Sequence, residues 1–326
     1  MSRPAAPRAW LVGSAVAFVA GAVLFPLVGP MPLDLGAALA HREPEWSILW
    51  QLRVSRTLLG LFAGGALSLA GSVFQAMLRE ALATPYTLGV STSASLGAVI
   101  VIALGGHTVL GVPAVWMGAL AGAAAVLFLV LGSAARPGRM SAFGLLLIGI
   151  ATNSVCSAAI LLIHGFAGLS QSFSIARWLL GSIDAIGYGA LVPFVVLVAG
   201  ITLWIVRHAR HWNLLAVGED WASARGTPVS RLLLGGYVAG SALAASTVAL
   251  TGPIGFVGLI VPHLARSRVG ADHRLLMPCA FLMGGVLLAG GDAIGRSVLA
   301  PAEIPAGALM ALIGGPYLVW LVRRRG

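Results

Sequence analysis

Every basic side chain in this sequence is an arginine. There are 20 Arg and no Lys, against 10 Asp and Glu, for a formal net charge of +10. A phosphate-binding P-loop needs a Lys to reach the nucleotide phosphates, so ATP hydrolysis by that route is closed to this chain. His-Glu-x-x-His does not occur, which removes a zincin-type membrane protease. A serine intramembrane protease would have to use Ser91 or Ser154 with His164, and nothing in their spacing pairs them. Cys156 and Cys279 each lie inside an apolar run, where a small buried hydrophobe is expected rather than a disulfide or a metal ligand. No cofactor and no metal are expected.

Two polar groupings remain. Arg53 and Arg56 stand three apart just ahead of an apolar run, so on a helix they would share one face. They read either as interface anchors, with Trp46 and Trp50 as an aromatic belt, or as a docking point for an acidic partner. Asp292 and Arg296, at i and i+4, read as a neutralising pair at a helix end. The second grouping is the polar stretch between Arg207 and Arg231. Its core, Trp212 to Gly226, reads as two short amphipathic helices broken at Gly218. Leu214, Leu215 and Ala216 close the first, and Glu219 and Asp220 open the second, where acidic residues suit the helix dipole. Such a pair either meets a partner or lies at the lipid interface.

The elements carrying these groups must be membrane helices. The chain has 326 residues, 59% hydrophobic and 9% charged, with a mean hydropathy of +0.96; a soluble domain needs far more surface charge. Ten apolar segments follow one another: Ala9–Val28, Thr57–Leu78, Ser91–Leu104, Pro113–Leu131, Ala142–Ile163, Tyr188–Ile205, Leu232–Leu250, Ile254–Ala265, Leu275–Ile294 and Ala306–Val322. The third and eighth are shorter than the ~20 residues that cross a bilayer core, so neighbours must shield them. The first is too long for a signal-peptide core and reads as an uncleaved helix. The expectation is an all-α integral membrane protein of about ten spans, in a single domain over residues 1–326.

Orientation follows from the arginines. With the N-terminus inside, fifteen fall in cytoplasmic segments. Only Arg42, Arg53, Arg56, Arg177 and Arg296 fall outside, as the positive-inside rule requires. Both termini are expected in the cytoplasm. The arginines sit in short loops between apolar runs, so the net charge reports topology and no nucleic-acid partner is expected. Spans two to five and seven to ten read as inverted repeats, because an odd number of spans separates their starts. Gly60-x-x-x-Gly64 and Gly291-x-x-x-Gly295 fit tight helix contacts. The acidic residues fall near span ends or in loops, which speaks against a secondary transporter coupled to protons or sodium.

Several strings together resemble a known family. Arg53-Val54-Ser55-Arg56 with Ala70-Gly71-Ser72-Val73-Phe74-Gln75 resembles its Arg-x-Pro-Arg signature and following Gln. Leu82 to Ser91 resembles its turn before the third span, and Leu214 to Glu219 its cytoplasmic loop. Thr251-Gly252-Pro253-Ile254-Gly255-Phe256-Val257-Gly258-Leu259-Ile260-Val261-Pro262-His263 is its most specific string, and Glu303-Ile304-Pro305-Ala306-Gly307 and Ile313-Gly314-Gly315-Pro316 complete the series. The sequence is identified as a member of the FecCD-type permeases of bacterial ABC importers. Departures are Ser55 for the motif proline, Glu80-Ala81 for Asn-Pro, and Thr84 for an acidic residue.

The resemblance implies an inner-membrane permease working as a dimer, likewise of ten helices. It implies two partner ATPase subunits and a periplasmic binding protein. Its pathway would run along the dimer axis, lined by the fifth and tenth helices and the short helix after the fifth. The loop at Leu214, Leu215, Ala216, Gly218, Glu219 and Asp220 would couple to the ATPase, and Arg53, Arg56 and Arg296 would receive carboxylates of the binding protein. Ferric siderophore is the expected cargo, ahead of haem or cobalamin.

Overall fold

The computed structural model describes residues 7–106, 108–109, 111–134 and 142–325. Arg3, Arg136 and Arg139, three of the arginines assigned to the cytoplasmic side, lie outside them. The chain is almost entirely helical, as lipid demands of a backbone that must satisfy its own hydrogen bonds. In order the helices are α1 (Pro7–Leu24), α2 (Leu35–Leu39), α3 (Glu45–Ser47), α4 (Ser55–Leu78), α5 (Val90–Ala103), α6 (Ala114–Ala134), α7 (Ala142–Phe166) and α8 (Leu169–Leu179). Then come α9 (Tyr188–Arg207), α10 (Ala209–Val217), α11 (Glu219–Ala224), α12 (Val229–Thr251), α13 (Val257–Val269), α14 (His273–Val298) and α15 (Ala306–Arg325). A 3₁₀ turn, Phe25–Leu27, follows α1, and a π-helical segment, Ile48–Val54, leads into α4.

Each of the ten apolar segments falls on a helix: α1, α4, α5, α6, α7, α9, α12, α13, α14 and α15. Seven of the described helices are long and apolar enough to cross a bilayer. The third and eighth segments are indeed short, with 14 residues in α5 and 13 in α13.

The chain folds as two compact units, residues 1–69, 182–206 and 256–326 in the first and 70–181 and 207–255 in the second. Spans three to five therefore fold with span seven, while spans eight to ten fold with the start of span two. Span seven thus folds with the later spans of the first half, and the start of span two with those of the second half, the exchange that a two-fold inverted repeat would produce.

Close backbone contact organises the first unit. A Cβ on Gly64 would collide with the Gly284 carbonyl, and one on Gly60 would press on Ala289. These small residues let α4 and α14 run antiparallel with their main chains touching, which no larger side chain permits. Gly60 and Gly64 thus serve the role expected of them. In the second unit, Val99 of α5, Ile160 of α7 and Ile175 of α8 form a buried cluster. There the Thr251-Gly252-Pro253 turn presses its backbone on the end of α8. Gly252 and Gly181, at φ +67° and +66°, occupy the left-handed region, and a Cβ on either would strike the other strand's main chain.

Candidate functional site

The contact between α4 and α14 carries polar side chains to its outer end. One turn before Gly60 on α4 stands Arg56, and three residues after Ala289 on α14 stands Asp292. The Arg56 guanidinium takes the Asp292 carboxylate with two nitrogens: Nε reaches Oδ2 at 3.0 Å and Nη2 reaches Oδ1 at 2.8 Å. The same Nη2 donates to Oε2 of Glu303, in the loop before α15, at 2.9 Å. Asp292 is buried at 4% side-chain exposure, while Arg56 at 15% and Glu303 at 45% keep an edge open. A planar guanidinium fork suits this geometry, and Lys would lose the second bond.

Asp292 was expected to pair with Arg296. Arg296 does approach it, but loosely, at 3.9 Å. The tight partner comes from the facing helix, because the close α4–α14 approach puts Arg56 nearer than the next turn of α14 itself.

Arg53 and Arg56 were expected to face the same way. They diverge, because the π-helical turn Ile48–Val54 ends between them and breaks the regular helical spacing. Arg53 turns inward and donates to the carbonyls of Met31 at 2.6 Å and of Pro26 and Leu27 at 3.5 Å. Arg296 likewise donates to the Phe25 carbonyl at 2.7 Å. Three of these four carbonyls, those of Phe25, Pro26 and Leu27, belong to the 3₁₀ turn that ends the first span, where backbone acceptors outnumber donors; that of Phe25 also takes the Val28 N–H, and a cation there meets the negative end of the dipole. Arg53 and Arg296 are therefore buried caps of the first span, at 7% and 4% exposure. They are not an exposed basic patch, and among the three arginines only Arg56 keeps an open edge. Glu303 was missed as a member of this cluster. Its place in the loop before the last span, on the same side as Arg56 in the expected topology, was the available signal.

In the second unit the polar loop forms as its sequence suggests. α10 and α11 meet at Gly218, whose N–H donates to the Leu214 carbonyl and whose carbonyl accepts from Ala222. Trp212, Leu215 and Ala222 are fully buried. Trp212 fills a slot on α12 that exists because position 236 is glycine; a Cβ there would meet the indole and the Met77 sulfur. Leu214 is half-buried and Ala216 exposed, with Asp220 open and Glu219 partly so. On the open side Val217 and Trp221 stay exposed, with the Arg225 guanidinium 4.5 Å above the Trp221 ring. A hydrophobic pair rimmed by Asp220 and Arg225 has the anatomy of a protein contact.

His164, one element of a conceivable serine dyad, pairs its Nε2 with Ser172 Oγ at 2.9 Å. Ser154 Oγ donates to the Ile150 carbonyl. Among the described residues no group of His, Cys, Asp and Glu is placed to hold a metal.

Comparison with known proteins decides what this framework belongs to. Residues 10–324 match the model of the FecCD transport family. The chain belongs to the FecCD transport family. Over 300 residues this FecCD chain is 37% identical to an uncharacterised ABC transporter permease, YvrB, of Bacillus subtilis, covering 89% of the chain and 83% of that relative. Over 285 residues it is 36% identical to the hemin transport permease HmuU of Yersinia pestis, covering 87% and 85%. Over 323 residues it is 32% identical to the vitamin B12 import permease BtuC of Klebsiella pneumoniae, covering 97% and 94%. Its fold matches an inward-facing metal-chelate type ABC transporter with a TM-score of 0.85 at 29% identity, covering 98% of this chain and 99% of that one. The FecCD chain is thus a multi-pass permease of the ABC importer class.

Proposed function

We propose that the chain is the permease of a binding-protein-dependent importer that carries an iron chelate, ferric siderophore in the first place, from periplasm to cytoplasm. The match of nearly the whole chain to the FecCD family carries this reading. The likeness to a metal-chelate type transporter supports a metal chelate as cargo. Haem and cobalamin are the alternatives, since relatives at 36% and 32% identity are named for hemin and vitamin B12.

In this reading residues 1–326 act as one permease domain in the bacterial inner membrane, with both termini cytoplasmic. Two copies form the pathway, and α7 and α8 line it. Their apolar exposure supports this: Phe143, Leu161 and Phe166 on α7 and Phe173 on α8 are all open on the single chain. ATP is hydrolysed by two separate subunits that dock on the α10–α11 corner, with Leu214, Leu215, Ala216, Gly218, Glu219 and Asp220 holding its shape and Val217 and Trp221 making contact. The periplasmic binding protein docks on the periplasmic side, where the open edge of Arg56 takes a carboxylate while Arg53 and Arg296 hold the end of α1 beneath it.

The test is uptake in proteoliposomes that contain the permease with its ATPase and binding protein. Ferric siderophore, haem and cobalamin are offered separately, with ATP inside. ATP-dependent accumulation of the ferric siderophore is expected. Accumulation of haem or cobalamin alone would assign the cargo to those relatives' class, and nucleotide hydrolysis by the pure permease would refute the division of labour.

A further inference from the structure

Within the first unit α1, α13 and α14 do not close on one another completely. Between them lies a groove of about 330 Å³, open on one side and lined by Trp10, Ser14, Val261, Leu264, Met283 and Leu287. Its size is that of a small-ligand site, and its walls are apolar almost throughout. The one polar side chain named in the wall, Ser14, is turned away: its hydroxyl donates to the Trp10 carbonyl at 2.8 Å and lies 3.4 Å from the Cys279 sulfur. Nothing in the lining would hold a polar solute.

Charge stands at one end. The Arg268 guanidinium lies 4.6 Å from the centroid of the Trp10 indole, and Trp10 is itself a wall of the groove. Arg268 follows Leu264, another wall residue, by one turn of α13 and is exposed. The groove is therefore an apolar slot with a cationic lip, at the end of α13 and the start of α1.

We propose that this groove binds one anionic phospholipid, its acyl chain between α1, α13 and α14 and its phosphate on Arg268. The shape and the charge have to be matched together. An acyl chain alone accounts for the apolar walls, but not for an exposed guanidinium stacked on the wall's own indole. An indole beneath a guanidinium fixes that cation at the height where headgroups lie. By the arginine distribution this is the cytoplasmic leaflet, where anionic lipids concentrate and each basic residue near the surface adds about fivefold to their binding. The proposal rests on the membrane-spanning fold and on no assumption about cargo.

Native mass spectrometry of the full chain in detergent tests it, with phosphatidylglycerol or phosphatidylcholine of the same acyl chains titrated separately. The parent is expected to retain one phosphatidylglycerol with at least about fivefold preference over phosphatidylcholine. Arg268→Glu should abolish the preference. Gly13→Leu should weaken both lipids, because Gly13 lines the groove and a Cβ there meets open space, so the new side chain fills the slot without a clash. Gly200→Leu, equally unhindered but on α9 away from the groove lining, should change nothing. Arg210→Glu, on α10, should keep the preference. Equal binding of the two lipids by the parent would overturn the proposal. So would an unchanged preference in Arg268→Glu, or an equal loss in Arg210→Glu, which would mean that net charge alone selects the lipid.

Discussion

Arg56 and Asp292 stand 236 residues apart in the chain, yet the guanidinium of one holds both carboxylate oxygens of the other, at 2.8 to 3.3 Å. The pair exists because glycines below it on α4 and alanine and glycine on α14 bring two main chains into contact. It closes the outer end of that contact, and Glu303 extends it to the loop before α15. Both charges of the inner pair are largely removed from water, so neither can lose its partner cheaply.

Removing one member should therefore cost more than removing both. Asp292→Ala leaves a guanidinium mostly buried without its main counter-ion, and Arg56→Ala leaves a buried carboxylate with only Arg296 nearby. Either loss is worth about 3 kcal/mol or more. The double change Arg56→Met with Asp292→Leu, similar in volume and uncharged, should melt closer to the parent than either single variant. Melting in detergent, followed by fluorescence, checks the order, and additive losses in the double variant would show that the two side chains are not coupled.

Docking of the binding protein should depend on Arg56 and Glu303 in opposite senses. Arg56→Gln should weaken association and flatten its salt dependence. Glu303→Gln should strengthen it a few-fold, since it releases the open edge of Arg56 for an outside carboxylate; a partly exposed pair is worth about 0.2–1 kcal/mol. Arg53→Glu and Arg296→Ala should instead lower the yield of folded permease, because each strips a cap from the end of α1. A binding titration at low and high salt reads the first two effects, and gel filtration the others. Weaker binding in Glu303→Gln would reverse the assignment.

Gly218 separates two substitutions that look alike. Its φ of 164° is extended backbone open to any residue, and a Cβ there would touch only the Arg79 side chain at 3.9 Å. Gly218→Ala should therefore transport at close to the parent rate. Gly218→Pro cannot reach that φ, and it removes the N–H that caps α10, so ATP hydrolysis should continue while uptake falls at least tenfold. Glu219→Arg puts a cation in the first turn of α11 and should uncouple more weakly. Parallel assays of hydrolysis and uptake decide, and equal rates in Ala and Pro variants would remove the corner from the coupling path.

Orientation can be read with single cysteines placed after Cys156 and Cys279, both buried, are changed to serine. Arg42→Cys should react with an impermeant maleimide applied to spheroplasts. Ser223→Cys, exposed on α11, should react only once the membrane is opened. The opposite pattern would invert the topology taken from the arginines.

The apolar runs by themselves determined the class of this protein and the place of each span, because lipid leaves a backbone no alternative to helix and the period of the runs is long enough to read. The α10–α11 corner was legible too: Gly218 followed by Glu219 and Asp220 carries local signals for a stop and a start. What the sequence left open was decided by contacts between distant segments. No local rule pairs Arg56 with Asp292; that follows from how closely α4 and α14 approach through Gly60, Gly64 and Gly284. Nor could spacing foretell that Arg53 and Arg296 turn inward. Their side chains answer to carbonyls of the turn that ends the first span, and only the folded chain brings those carbonyls within reach. The groove beside Trp10 has the same origin, since an unfilled space between three helices belongs to their packing and to none of their sequences.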